Sequence, residues 1–236
     1  MGGIGDGECC RMERYKFAFY SIFKEPRLYR YAVNGDWDLI PQRALTHPKE
    51  AQFVHAFGSQ DTPLHTILKS AAVDMDCKSQ QTLDRVKLNA VAALLSAHRQ
   101  AVSTKNGFGQ TPLHFACMDL SNCGEEVTSM LVDAHPNAAC VQDLEGRSPL
   151  HYLVARNDCI PIGILAKVIS ACPDALHMMD AVRETPLDIV IQRVEEIEDG
   201  SNILKFIQDS NMQYLTELSA LQHKKQLQNI DRVTTV

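Results

Sequence analysis

The sequence predicts an all-α solenoid of about five helix-turn-helix units with hairpin tips, and three observations predict it. First, one tetrapeptide recurs. Thr62-Pro63-Leu64-His65, Thr111-Pro112-Leu113-His114, Ser148-Pro149-Leu150-His151 and the degraded Thr185-Pro186-Leu187-Asp188 follow one another at intervals of 49, 37 and 37 residues. Second, the stretches between copies match. With 111–147 laid over 148–184, Phe115 falls on Tyr152, Val127 on Ile164, Leu131 on Val168, Val132 on Ile169 and Asp143 on Asp180. Third, each copy carries the chemistry of a helix start. Thr or Ser at the N-cap accepts from a first-turn amide, Pro occupies the first helical position where its missing N–H is not needed, and Leu opens the buried face.

Taken in chain order, residues 1–10 read as a flexible Gly-rich segment, and with 11–25 they form an N-terminal segment ahead of the repeats. Position 6 is Asp, so Gly2 lacks a myristoylation context. Cys9-Cys10 reads as a disordered thiol pair, with lipidation as the alternative. Seven of the fifteen aromatic residues lie within 11–31, interleaved with Arg11, Arg14, Lys16, Lys24, Arg27 and Arg30. This segment reads as an aromatic cap over the first unit's open face. Its alternative is a basic-aromatic arm that contacts nucleic acid or an anionic membrane.

The first unit, 26–61, is atypical. A short helix ends at Asn34-Gly35-Asp36, and a second returns from Trp37. The second unit, 62–110, carries a polar insertion around 71–82 and a long second helix starting near Ser79 or Thr82. Units 111–147 and 148–184 are the regular pair. In the fifth, 185–223, Leu187, Val190, Ile191, Val194 and Ile197 make one apolar side. A last helix over 202–222 closes the stack. Its stripe is longer than a cap requires, which suits pairing with another helix. A polar tail follows over 224–236.

Over 26–223 the chain resembles an ankyrin-repeat domain, most specifically in Asp143-Leu144-Glu145-Gly146-Arg147-Ser148-Pro149-Leu150-His151. Its departures are the lengthened repeat, Arg183 in place of the tip glycine, Asp188 in place of the signature His, and the missing Gly-His turn after the first helix. The resemblance implies that the signature His bonds its own unit's Thr and a neighbouring backbone group. It also implies a non-catalytic scaffold that binds a partner protein along the hairpin tips and the concave helix face.

Bulk numbers narrow the classes. A net charge of −6 argues against nucleic acid as a main partner, because duplex affinity comes from phosphate neutralisation. No apolar run is long enough for a membrane span. The eight cysteines, without a secretory leader, read as reduced and mostly buried thiols of a cytoplasmic or nuclear protein. His65, His114 and His151 are one repeat apart, about 8–10 Å, too far to share a metal ion. The cysteine spacings contain no C-x-x-C, so a Cys/His metal or redox site is the lesser alternative. No nucleophile elbow, phosphate loop or zinc-protease motif occurs, so no enzyme activity and no cofactor are expected. A monomer is expected.

The resemblance places outward-facing positions in three clusters: Gly107, Phe108, Gln110, Met118 and Asp119; Leu144, Glu145, Arg147, Ala155 and Arg156; Ala181, Val182, Glu184, Gln192 and Arg193. From these, Phe108, Gln110, Met118, Leu144, Glu145, Arg147, Arg156, Val182, Glu184 and Arg193 are the candidate protein-binding residues. Exposed apolar groups on a tip serve an interface better than they serve the tip. Three nearby arginines suit a partner with acidic residues around an apolar centre.

Overall fold

The computed structural model describes residues 25–56, 58–70, 77–156, 160–196 and 199–234. Residues 71–76 of the insertion, Cys9-Cys10, and 11–24 of the basic-aromatic segment lie outside them. Ten α-helices are found among the described residues, in five pairs: α1 (Arg27–Asn34) and α2 (Ile40–Thr46), α3 (Pro63–Lys69) and α4 (Cys77–Ala97), α5 (Pro112–Met118) and α6 (Leu120–Ala134), α7 (Pro149–Val154) and α8 (Ile162–Ala171), α9 (Pro186–Arg193) and α10 (Gly200–Thr234). No strand is assigned among these residues, so the chain is an all-α solenoid. None of the helices described is long and apolar enough to cross a membrane.

The helices stack in two layers. The short first helices α1, α3, α5, α7 and α9 pack in sequence, and α2, α4, α6 and α8 pack likewise behind them. Each unit supplies apolar residues in the same columns, which is how a unit that cannot bury its own face finds cover. Leu64, Leu113 and Leu150 are buried, as are Ile67, Ala116, Leu153 and Val190 one turn on. Ala90, Val127 and Ile164, then Leu94, Leu131 and Val168, form the matching columns behind. The result is one continuous core from Leu28 to Ile207.

Local chemistry sets the element ends. Gly35 closes α1 in the left-handed region (φ 82°), donating its N–H to Tyr31 O. Gly124 (φ 75°, ψ 153°) interrupts Leu120–Ala134, so the long second helix of the third unit begins after it. Every second helix from α2 to α8 ends at one non-helical residue (His47, His98, His135, Cys172) and enters a 3-10 turn: Pro48–Gln52, Arg99–Ser103, Pro136–Cys140 and Pro173–His177. Each turn buries an alanine at the same position, Ala51, Ala101, Ala138 or Ala175, where a larger residue would hold the units apart. At the N-terminal end Tyr29 is buried against Phe53 (5.1 Å, edge-on) and His55 (5.4 Å, stacked). At the other end α10 packs on α9 and the last 3-10 turn. It stays helical to Thr234, through the stretch read from sequence as a polar tail beyond Lys224.

Between the units, the hairpin tips stack backbone on backbone. Asn106, Asp143 and Asp180 open three of them. Each side-chain Oδ1 accepts two amides of its own tip: Phe108 and Gln110, Glu145 and Arg147, Val182 and Glu184, all at 2.9–3.0 Å. Tip then joins tip: Gly107 N donates to Ser59 O (2.7 Å), Leu144 N to Phe108 O (3.0 Å) and Ala181 N to Glu145 O (2.8 Å). This approach leaves little room for a Cβ, which would push the neighbouring backbone aside by a few tenths of an ångström. One at Gly146 (φ 74°) would lie 3.1 Å from Asp180 Cα and 3.2 Å from Ala181 N. Arg183 takes the same left-handed conformation (φ 67°) in the last tip.

Gly146→Ala is therefore expected to cost about 2 kcal/mol, from the left-handed strain and the displaced neighbouring tip. Arg183→Gly should be neutral or gain up to about 1 kcal/mol. Urea unfolding followed by circular dichroism checks both; equal losses at the two sites would contradict the assignment.

Candidate protein-docking surface

The tip apices carry the exposed apolar side chains. Phe108 is 55% exposed, Leu144 77% and Val182 68%, on three consecutive tips joined by the hydrogen bonds above. A second row lies at the C-terminal ends of the first helices, where Met118 is 40% exposed and Ala155 and Gln192 are exposed. Sequence reasoning assigned Ile191 to the buried stripe of α9. It is exposed, because its column (Leu68, Cys117, Val154) is buried only where another unit follows.

A polar network braces the ground between the rows. Gln110 Nε2 donates to the Tyr152 hydroxyl (3.0 Å), which donates to Asp143 Oδ2 (2.7 Å). Burial, then that bond to Asp143, pushes the Tyr152 phenol up to about 12, so it stays a donor. Arg147 lies over the Tyr152 ring (6.0 Å), pairing with Glu145 (3.0 Å) and the buried Asp180 (3.6 Å). Glu184 accepts from Gln192 (2.8 Å). Gln110, Arg147 and Glu184 thus hold the tips while keeping part of their surface open.

Two of the candidate arginines do other work. Arg156 is buried, and its Nη1 donates to Met118 O (3.2 Å) at the end of α5. Arg193 is half-buried; its Nη1 donates to Ala155 O beyond α7, and its Nε pairs with Glu196 (3.1 Å). One column of the repeat therefore staples the orphan carbonyls of the preceding first helix. The expectation that Arg156 faces outward is corrected: its guanidinium is spent inside the stack. Arg183, exposed at the last apex, is a cation the candidate set omitted.

What positions the surface is the signature histidine. His65 Nδ1 accepts from Thr62 N–H (3.2 Å) and from the Thr62 hydroxyl (2.7 Å), and Nε2–H donates to Gln110 O in the hairpin tip that leads into the next unit (3.1 Å). His114 does the same with Thr111 and Arg147 O (3.2 Å). His151 repeats it with Ser148 and Glu184 O (3.3 Å). An Nδ1 that accepts an N–H cannot also carry a proton. Burial holds His65 and His114 down at about 4, and His151 below the usual imidazole value. The residues the histidines bond, Gln110, Arg147 and Glu184, are all candidate residues, so these links set the height of the rim.

Among the described residues, no group of three or more His, Cys, Asp or Glu could hold a metal ion. The thiols of Cys117 and Cys123 are buried, and burial pushes Cys123 up to about 11 and Cys117 higher. Cys140 and Cys172 are joined in a disulfide, against the expectation of reduced thiols throughout. The repeat brings the end of one 3-10 turn against the start of the next, a contact the 32-residue spacing does not advertise.

Residues 108–141 match a family model described as ankyrin repeat. A comparison with curated proteins found no match.

The histidine links predict acid sensitivity. Between pH 6.5 and about 4 the unfolded chain binds protons on His65 and His114 that the folded chain does not, so stability rises with pH across that window and is level above it. Each should remove about 3 kcal/mol by pH 4.5, less where neighbouring links fail together. Urea midpoints at pH 7.5, 6.5, 5.5 and 4.5 measure the loss. Imidazole NMR titrations near 6.5 for these two residues would contradict it.

Proposed function

Because the chain is an ankyrin-repeat protein, we propose that it is a non-catalytic scaffold docking one partner protein across the three hairpin tips that carry Phe108, Leu144 and Val182. The reading rests chiefly on one observation: Phe108, Leu144 and Val182 stand exposed on three tips whose backbones are hydrogen-bonded to one another. Ordering costs much of the energy of association, and a surface already held in place avoids that loss. Ankyrin repeats commonly serve protein interaction, and the family is generally non-catalytic. Many ankyrin-repeat proteins are intracellular, and an intracellular setting is part of this proposal.

Phe108 is the anchor, being the aromatic one, with Leu144 and Val182 extending the apolar strip and Met118 as its edge below. Glu145, Arg147 and Arg183 form a rim of mixed sign. With Arg156 withdrawn and Arg193 engaged, the partner is an apolar segment with charges of both signs rather than an acidic one. Gln110 and Glu184 contribute at the margins. Rim charges of this kind set on-rate and selectivity more than affinity.

The test is a pair of variants read against affinity-captured partners. Phe108→Ala should weaken capture at least tenfold, about 1.4 kcal/mol or more, as expected of a buried aromatic anchor. Phe108→Ala with Leu144→Ser should abolish it, with the thermal unfolding temperature nearly unchanged because both side chains are exposed. Retention of every partner by the double variant would remove the proposal.

A further inference from the structure

The back edge of the stack carries a repeated contact site, and at one interface it is filled by two cysteines. The site lies where the last residue of one 3-10 turn (Gln52, Cys140) approaches the residue that ends the next second helix (His98, Cys172). Between the first and second units it holds Gln52 Nε2 and His98 Nδ1 at 3.5 Å. Between the third and fourth it holds Cys140 and Cys172, Cα atoms 5.5 Å apart, within the range a disulfide needs. At the end of the stack His177 meets the Tyr214 ring of α10 (5.6 Å). The approach of side chains here is thus a property of the stacking, seen where no sulfur is present.

The two cysteines differ in access. Cys140 is exposed at the end of its turn, whereas Cys172 is 1% exposed. Of the other described thiols, Cys117 and Cys123 are buried under the first helices and cannot intercept a reagent arriving at Cys140.

We propose that Cys140 is an exchange site for low-molecular-weight disulfides such as glutathione disulfide, with Cys172 as the resolving thiol, so that the seam between the third and fourth units closes and opens covalently. Closure runs in two displacements. Cys140 releases its proton to solvent, its Sγ bonds one sulfur of the small disulfide, and the S–S bond breaks to expel a thiolate. Cys172, likewise deprotonated, attacks Cys140 Sγ, forming the Cys140–Cys172 bond and expelling the second thiolate. The cysteine pair is oxidised by two electrons, and the small disulfide ends as two thiols. Excess small thiol reverses both steps. The bond closes the chain between 140 and 172, restricting the unfolded ensemble.

The proposal is independent of the partner. The full-length chain is equilibrated with reduced and oxidised glutathione at graded ratios, acid-quenched, alkylated and peptide-mapped, and its thermal unfolding is followed at each ratio. Reducing buffer should leave both residues alkylated. Oxidising buffer should give a Cys140–Cys172 cross-linked peptide and an unfolding temperature raised by about 10 °C. Cys172→Ser should retain glutathione on Cys140 and show no such rise. Alkylation of both residues at the most oxidising ratio, a cross-link of Cys140 to another cysteine, or an unmodified Cys140 in Cys172→Ser would each overturn it. If Cys172→Ser does not fold, the wild-type titration alone decides.

Discussion

In the second, third and fourth units a neutral imidazole ties the first helix to the hairpin tip that leads into the next unit, and the rest of the structure depends on that link. Its Nδ1 must accept, because Thr or Ser N–H points at it, and its Nε2–H donates to a backbone carbonyl of the tip beyond. One side chain thereby completes a helix N-terminus and fixes the height of the neighbouring tip. Burial enforces the neutral form, and the neutral form is what the geometry can use. Protonation at Nδ1 would set two N–H groups against each other inside the stack. The same requirement keeps the tip backbones close enough to bond, so the imidazole and the glycines at 109 and 146 are two halves of one constraint.

The end of the array explains its own irregularities. Asp188 takes the place of the signature histidine, and its Oδ2 accepts from Thr185 N–H (2.9 Å) and the Thr185 hydroxyl (2.6 Å). The cap survives. What is lost is a donor toward a following tip, and none is found beyond it among the described residues. A carboxylate is also acceptable there because the site is exposed, and the Thr185 hydroxyl and amide hold Asp188 below the usual carboxylate range. Arg183 keeps the left-handed turn without glycine. Substitutions that read in the sequence as decay are what the repeat permits at a free end.

The fold was legible because its signals are local and periodic. The N-cap, the proline at the first turn and the recurring leucine columns act within one unit and repeat, so the alignment of 111–147 with 148–184 carried most of the structure. The tip apices were legible for the same reason, as Phe108, Leu144 and Val182 sit on turns whose ends the signature marks. Arg156 was not, since its exposure depends on whether a carbonyl one unit away needs a donor, and Met118 O supplies that need. Ile191 was misplaced by the reverse logic: apolar spacing marks a face, but burial requires a neighbour. Nor did spacing suggest Cys140 with Cys172, because they occupy different columns and meet only after stacking.

The constant and variable positions of the repeat divide the labour. Histidine, N-cap and tip opener are nearly invariant from unit to unit, so the tips keep one spacing whatever their apices carry. Freed from holding the backbone, the apices carry Phe108, Leu144 and Val182, side chains with no task inside their own unit. At the back seam the reverse holds. The back edge carries an amide–imidazole contact between the first and second units, a disulfide between the third and fourth and a ring contact at the end, so these interfaces are set individually while the front remains uniform. In a stack whose stability is a sum of unit and interface contributions, a change at one seam alters the stability of one step without rewriting the surface. The Cys140–Cys172 seam joins the two turns that lead into the tips bearing Leu144 and Val182, so the strength of that single interface bears on how firmly those two apices are held together.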